Sequence, residues 1–321
     1  MSAIKNVAII GGSGTLGTPT LRYLFDSKHF NVTAITRSSS SATFPTGVKV
    51  SKVDYDNKHD LVIAFRGHDA AILIVGAGVM HTQLPLIEAA AEAGVKWIIP
   101  TEFSSDTANK KLMEQIAFFG IKDQTRAKIQ ELGMNYIAVI CHLWTEFVSS
   151  CPWYIQREGV AVANTVHQSI NYGFFGIDVP GKTATVYDDA VKMNVTDIDT
   201  VAMAIVRLLS LPAEKLDKYA NKHVYVSSAL VSQPEIFATI KKVTNTTDAE
   251  WQITHASADD RINAGKKKLA DGNPSAAVDL VYGYGMKDGF GGDYETTKGL
   301  DNEVLGLKTQ SVEDLIRAAL K

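Results

Sequence analysis

The chain has 321 residues, 45% hydrophobic and 21% charged, an ordinary globular balance that excludes fibrous and disordered classes and suffices for a large core. A net charge of −3, with no basic run longer than Lys266 to Lys268, speaks against a nucleic-acid partner. Two cysteines, Cys141 and Cys151, cannot build a disulfide framework and suit a reducing compartment. The opening apolar run "VAII" is too short for a signal peptide, and no segment approaches the roughly 18 apolar residues of a membrane span, so a cytoplasmic protein with no membrane partner is expected.

In chain order the first half alternates short apolar runs with helical patterns: "NVAIIG", "TLGTPTLRYLFDS", "NVTAIT", "VKVSKVD", "AAILIVG", "TQLPLIEAAAEAG", "KWIIPTEF", a long helical stretch from about Asn109 to Gly133, and "NYIAVI". A run such as "AAILIVG" is apolar on both faces, which a parallel strand covered by helices on each side requires. This predicts an α/β chain, with a Rossmann-type doubly wound parallel sheet binding NAD(P) over residues 1–150. Over residues 151–321 the pattern loosens. "TATVYDD", "HVYVSS" and "WQITHAS" read as short strands, and "DIDTVAMAIVRLLS" and "QPEIFATIKKVT" as helices. These residues are expected to form a smaller substrate-binding lobe, some of whose segments return to the first sheet.

The stretch "IIGGSGTLGTP" carries Gly11, Gly14 and Gly17 between the first strand and the first helix. A strand that ends in such a turn aims backbone N–H groups and the positive end of a helix at one point, which suits a phosphate. Gly11 is expected to make the tight turn, Gly14 to let a pyrophosphate approach, and Gly17 to allow close helix packing, with Gly12, Ser13, Thr15 and Leu16 completing the loop. The second strand ends in Arg37 rather than in the acidic residue that grips a ribose 2′-hydroxyl. Arg37, followed by Ser38 to Ser40, therefore predicts a 2′-phosphate and the cofactor NADP(H), although Arg37 also reads as a plain solvated loop residue. Asp54 after the third strand is placed to meet the adenine end, and Gly76 after the fourth to pass close to the pyrophosphate. An acidic loop residue and a simple turn are the alternatives there.

For chemistry, the Tyr-x-x-x-Lys pair common in short-chain dehydrogenases occurs only as Tyr294 and Lys298, far from the helix that should carry it, and reads as chance. The eight histidines show no catalytic-triad order and no metal-ligand spacing, so no metal site is expected. "VAIIGGSGTLG", "VTAITR", "IIPTEF" and a lysine ahead of "LGMNYIAVI" resemble the NmrA-like and isoflavone-reductase-like branch of the atypical short-chain reductases, most clearly from residue 5 to about residue 147. Where the family has Pro-Ser-Glu-Phe-Gly, this chain has Pro100-Thr101-Glu102-Phe103-Ser104. The resemblance implies an NADPH-dependent reductase of a small, aromatic or secondary-metabolite substrate. It also implies that Lys122 is the general acid or base beside the nicotinamide ribose, flanked by Thr101 and Phe103. Arg126 and Lys128 are cationic rivals on the same helix, but an arginine keeps its proton whereas a buried lysine can release one. His142, Trp144 and Phe147 of "CHLWTEF" are expected to line the substrate wall, with His142 as an alternative proton donor. The same family also implies a second possibility, a regulator that binds the dinucleotide without chemistry and acts through a protein partner. The oligomeric state, monomer or homodimer, stays open.

Overall fold

In the computed structural model, which describes residues 4–148, 174–273 and 275–320, the chain divides into two compact units. The first comprises Met1–Phe103, Phe118–Ile140 and Ile198–Val224; the second comprises Ser104–Ala117, Cys141–Asp197 and Tyr225–Lys321. The boundary expected near residue 150 lies outside the described residues. The elements run β1 (Asn6–Ile10), α1 (Gly17–Asp26), β2 (Asn31–Arg37), β3 (Lys49–Val53), α2 (Lys58–Phe65), β4 (Ala70–Leu73), α3 (Gln83–Glu92), β5 (Trp97–Ile99), α4 (Lys110–Gln115), α5 (Gly120–Glu131) and β6 (Asn135–Ile140). There follow β7 (Leu143–Trp144), β8 (Ile177–Asp178), β9 (Thr183–Tyr187), β10 (Met193–Thr196), α6 (Ile198–Leu209), α7 (Ala213–Leu216), β11 (Lys222–Tyr225), β12 (Ala229–Val231), α8 (Gln233–Thr244), β13 (Gln252–Ala256), α9 (Ala258–Ala270), α10 (Ala276–Gly285), α11 (Tyr294–Lys298) and α12 (Val312–Ala319).

The first unit is built on a seven-stranded sheet of order β11-β6-β5-β4-β1-β2-β3. The pairings β1–β2, β2–β3, β1–β4, β4–β5 and β5–β6 are all parallel. Val7 to Ile10 and Ala70 to Leu73 are buried along their whole length, as strands covered on both faces must be. Ala8, Ile10, Ile35, Ala71, Leu73 and Ile98 pack against residues of α2, α3 and α5 on one face. Strand order reverses between β1 and β4. In an open parallel sheet, that switch point leaves a crevice at the carboxyl ends of the strands. This arrangement is the α/β doubly wound fold expected from the sequence.

The single helix expected from about Asn109 to Gly133 is two helices. The Asn109 side chain accepts the Leu112 N–H and starts α4, but the backbone leaves the helical region at Ile116 (φ −118°, ψ 80°). Burial of Ile116 and Phe119 outweighs helix propensity at a joint already weakened by Gly120. The break places α4 in the second unit and α5 in the first.

The second unit carries two three-stranded sheets, β12-β10-β7 and β13-β9-β8. Its core joins Leu143, Phe175, Met193, Phe237, Trp251 and Tyr282. Asn194 on β10 is fully buried and bonds on both ends of its amide. Its Nδ2 donates to Ser227 Oγ at 3.0 Å and to Glu295 Oε2 at 3.1 Å, while its Oδ1 accepts the N–H groups of Tyr294 and Glu295 at 3.0 and 3.1 Å. An apolar residue of the same size would leave these partners unmet in the interior. Asn194→Leu should therefore lower the unfolding free energy in urea by about 3 kcal/mol, and a variant as stable as wild type would refute this account of the network.

Candidate active site

At the end of β1 the backbone takes a conformation that only glycine adopts freely: Gly11 has φ +78°, and a Cβ there would sit 1.9 Å from the Ile74 carbonyl oxygen. At Gly17 a Cβ would meet the Gly11 carbonyl oxygen at 1.9 Å, so what this glycine accommodates is the turn itself, packed against the first residue of α1. Gly14 is less confined within the chain. Its N–H donates to Gly11 O at 3.0 Å, and a Cβ would come no closer than 3.3 Å to that oxygen. No side chain caps α1, and its first turn carries no acidic residue. The loop Gly11, Gly12, Ser13, Gly14, Thr15, Leu16 and Gly17 thus leads into an uncapped helix end that favours an anion. A glycine turn that leads straight into an uncapped, positive helix end fits the pyrophosphate of a dinucleotide.

Arg37 closes β2 at an exposed position, and Ser38 to Ser40 turn immediately after it, with Ser38 N–H on Val53 O at 2.8 Å and Ser40 N–H on Arg37 O at 2.9 Å. Its guanidinium is near enough to the Tyr55 phenol to oppose the effect of burial, which pushes that phenol up to about 12. Asp54 is exposed, and its Oδ1 accepts the Asp56 N–H at 3.0 Å, a local turn bond. Gly76 follows β4 in open space, since a Cβ there would meet nothing nearer than Val79 at 3.9 Å. Crowding within the protein therefore does not require glycine at this position.

The loop after β5 is tied tightly. Thr101 donates its hydroxyl to Leu73 O at 2.8 Å, accepts the Val75 N–H at 3.0 Å, and gives its own N–H to Gln83 Oε1 at 2.8 Å. These bonds clamp the ends of β4 and β5 to α3. Phe103 is buried with φ +23°. Between them Glu102 turns its carboxylate inward. On α5, Lys122, Thr125, Arg126 and Ile129 form the buried stripe, the spacing of one helix face. Lys122 Nζ donates to the Glu102 backbone carbonyl at 2.5 Å, lies 3.8 Å from Glu102 Oε2, and sits 4.8 Å above the Phe119 ring. Arg126 pairs with Glu102 Oε1 and with Asp123. Glu102, Lys122 and Arg126 are 1%, 3% and 7% exposed, so an ionic cluster is buried where the sequence points to one lysine. Sequence reasoning passes over Glu102. The signal available was an acidic residue directly after an apolar strand, matched by two cations in a helix stripe that should be apolar.

His142 and Trp144 belong to the second unit. Trp144 donates its indole N–H to Cys141 Sγ at 3.2 Å. His142 has φ +52°, is buried, and finds no well-aligned hydrogen-bond partner for either ring nitrogen. Burial pushes it down to about 4, against the opposing pull of Asp106 and of the Gly285 backbone, so at neutral pH it carries no proton to donate as an imidazolium. The Phe147 side chain and Cys151 lie outside the described residues. Tyr294 and Lys298 are held apart by structural roles: Tyr294 donates to Val226 O at 2.7 Å with its phenol well above the usual range through burial, while Lys298 bonds Asp106 and the Tyr225 hydroxyl. Among the described residues, no helix is long and apolar enough to cross a membrane.

With this geometry in view, a family profile described as the NmrA-like family matches residues 3–273. An oxidoreductase named aprR from Aspergillus flavus is 29% identical over 98% of this chain and 98% of its own length. Another named poxI from Penicillium oxalicum is 28% identical, covering 96% of this chain and 92% of its own. Among solved structures, AtPrR2 with NADP+ and (+)-pinoresinol superposes with a TM-score of 0.75 at 18% identity, covering 99% of this chain and 100% of its own. A likeness at that identity shows the fold alone.

The buried histidine makes stability depend on pH. Its folded value lies below the unfolded value of 6.5, so the unfolded chain takes up a proton that the folded chain refuses. The contribution is complete above pH 6.5 and is lost as the pH falls toward 4, by about 3 kcal/mol over that window. Urea unfolding between pH 7 and 4.5 should show this extra slope in wild type and lose it in His142→Asn, whose side chain tolerates the left-handed backbone. Equal slopes in the two proteins would disprove it.

Proposed function

The chain belongs to the NmrA-like family, and we propose that it is an NADP(H)-dependent oxidoreductase that reduces a small aromatic or secondary-metabolite substrate. The observation that carries this reading is the burial of Lys122 beside Glu102 on the helix after β5, in the same unit as the uncapped glycine turn. It is supported by relatives named oxidoreductases that match along nearly their whole length, and by the fold shared with AtPrR2, solved with NADP+. The turn from Gly11 to Gly17 would hold the pyrophosphate, and Arg37 with Ser38 to Ser40 the 2′-phosphate. Asp54 would lie toward the adenine, with Gly76, Thr101 and Phe103 along the ribose and nicotinamide. When bound, NADPH supplies a hydride.

The chain's own contribution is then to hold and move a proton. Lys122 Nζ is fixed by the Glu102 carbonyl and excluded from bulk water. Burial penalises an ammonium, and the nearby carboxylate favours it, so Lys122 is poised to exchange its proton with the substrate atom that gains or loses one. Thr101, bonded to the end of β4 and to Gln83 on α3, keeps the loop that carries Glu102 from shifting. The substrate wall would draw on His142, Trp144 and Phe147, with the uncharged His142 serving as a shape-giving group rather than as an acid. Localisation in the cytoplasm accords with the composition.

Two measurements test this. Lys122→Ala should retain NADPH affinity within a few-fold while turnover with an enone, aromatic ketone or quinone falls by about 10²-fold or more; unchanged turnover would remove Lys122 from the chemistry. Arg37→Glu should weaken NADPH far more than NADH in direct binding assays, and equal losses would refute the 2′-phosphate assignment. NADPH binding without NADPH oxidation across such a panel would favour the non-catalytic sensing role instead.

A further inference from the structure

At the amino ends of its strands the first unit carries a cavity of about 480 Å³. Its wall takes in the first residues of three strands, Asn6 of β1, Asn31 of β2 and Lys49 of β3, together with Arg66 and His68 from the loop that follows α2. The parallel register gathers these side chains at one edge, since Asn6 lies opposite Asn31 and Thr33 opposite Lys49. The glycine turn, Arg37 and Asp54 all lie at the other, carboxyl ends of the same strands. From Asn31 to Arg37 the extended chain of β2 runs about 20 Å. The cavity is therefore separate from the turn that suits a dinucleotide.

No acidic side chain belongs to the wall. Lys49 and Arg66 are exposed, and neither forms an ion pair with a described residue. Asp69, beside His68, is occupied: its Oδ2 accepts the backbone N–H groups of Lys5 and Asn6, each at 2.8 Å. His68 is half-buried, and its Nδ1 lies 3.1 Å from Phe65 O, which can only accept and so fixes the ring hydrogen on that nitrogen. Burial, helped by Lys49, holds the ring below its ordinary value against the pull of that bond and of Asp69, so at neutral pH the fixed charges of the wall are those of Lys49 and Arg66. The carboxyl end of α2 accounts for a cation at Arg66, because helix carboxyl ends favour positive charge. It does not account for a second cation from β3, nor for a cavity walled by both. The same wall is apolar at Phe25 and Phe30. Asn31 Nδ2 donates to Asn6 Oδ1 at 2.9 Å, which fixes the two amides relative to each other.

We propose that this cavity is a second ligand site that takes a small aromatic anion, with a phosphate or carboxylate on Arg66 and Lys49 and a ring against Phe25 and Phe30. A guanidinium offers paired donors to two oxygens of either group, and an ammonium adds a point charge. The volume falls within the range of small-molecule sites. The site does not depend on the function proposed above.

Calorimetric titration of the full chain with phenyl phosphate and with benzoate, each compared with its ring-free counterpart, inorganic phosphate or acetate, tests this with and without saturating NADP+. At least one aromatic anion should bind about tenfold or more tightly than its counterpart, and should lose about tenfold or more in Arg66→Gln and in Lys49→Gln. Both positions are exposed, and both variants should keep wild-type NADPH affinity. No binding of either aromatic anion, binding no tighter than that of the ring-free ion, binding abolished by NADP+, or affinity unchanged in both variants would overturn the proposal. Any of these results leaves the test of Arg37 untouched. Failure of the wild-type protein to bind any dinucleotide would reject the cofactor assignment and leave this site standing.

Discussion

The contact between the Gly11 backbone and the Ile74 carbonyl oxygen constrains everything around it. Because a Cβ at position 11 would lie 1.9 Å from that oxygen, the turn after β1 passes against the end of β4 with no room for a side chain. That closeness ties the first strand to its neighbour at the point where the strand order reverses. It then delivers the chain into α1 with Gly17 pressed on the Gly11 carbonyl. The uncapped helix end, the open space at Gly76 and the exposed Arg37 all lie at the carboxyl ends of their strands because the sheet is parallel. At a switch point such a helix end suits a pyrophosphate, and such an arginine a 2′-phosphate.

A second constraint is the inward carboxylate of Glu102. A buried charge is tolerated only when paired and hydrogen-bonded, and removal of one partner from such a pair is strongly destabilising. Arg126 meets that need, and Thr101 fixes the loop on the other side through bonds to Leu73, Val75 and Gln83. Lys122, bonded to the Glu102 carbonyl, is thus held by a segment that is itself fixed in place. The same segment ends in Phe103 with its positive φ, the last residue of the first of the three stretches that make up the first unit.

Much of this was legible in the residue pattern. Six strands of the first sheet, β1 to β6, were apparent as short runs between helical patterns, and the spacing of Gly11, Gly14 and Gly17 marked the phosphate turn, because local backbone geometry leaves a local signature. Contacts between distant residues left much less of one. Glu102 and Arg126 are 24 residues apart, and nothing in either segment alone says that they meet. The break at Ile116 was hidden for the same reason, since helix propensity is local and the burial that overrides it is not. His142 looked like a candidate acid at a strand end, and only its depth and the charge of Asp106 beside it reveal a neutral ring. Tyr294 and Lys298 have the spacing of a catalytic pair, yet Asp106, Tyr225 and Val226 take their polar ends.

On the proposed reading, the turn, the exposed arginine and the buried lysine serve one dinucleotide that carries a 2′-phosphate. Parallel calorimetric titration of the wild-type protein with NADPH, NADP+, NADH and NAD+ at one pH and salt tests it most directly. NADPH should bind at least about tenfold more tightly than NADH, the difference one charge-assisted phosphate contact readily supplies. Equal affinity for the two, a preference for NADH, or no binding of any of the four would contradict it.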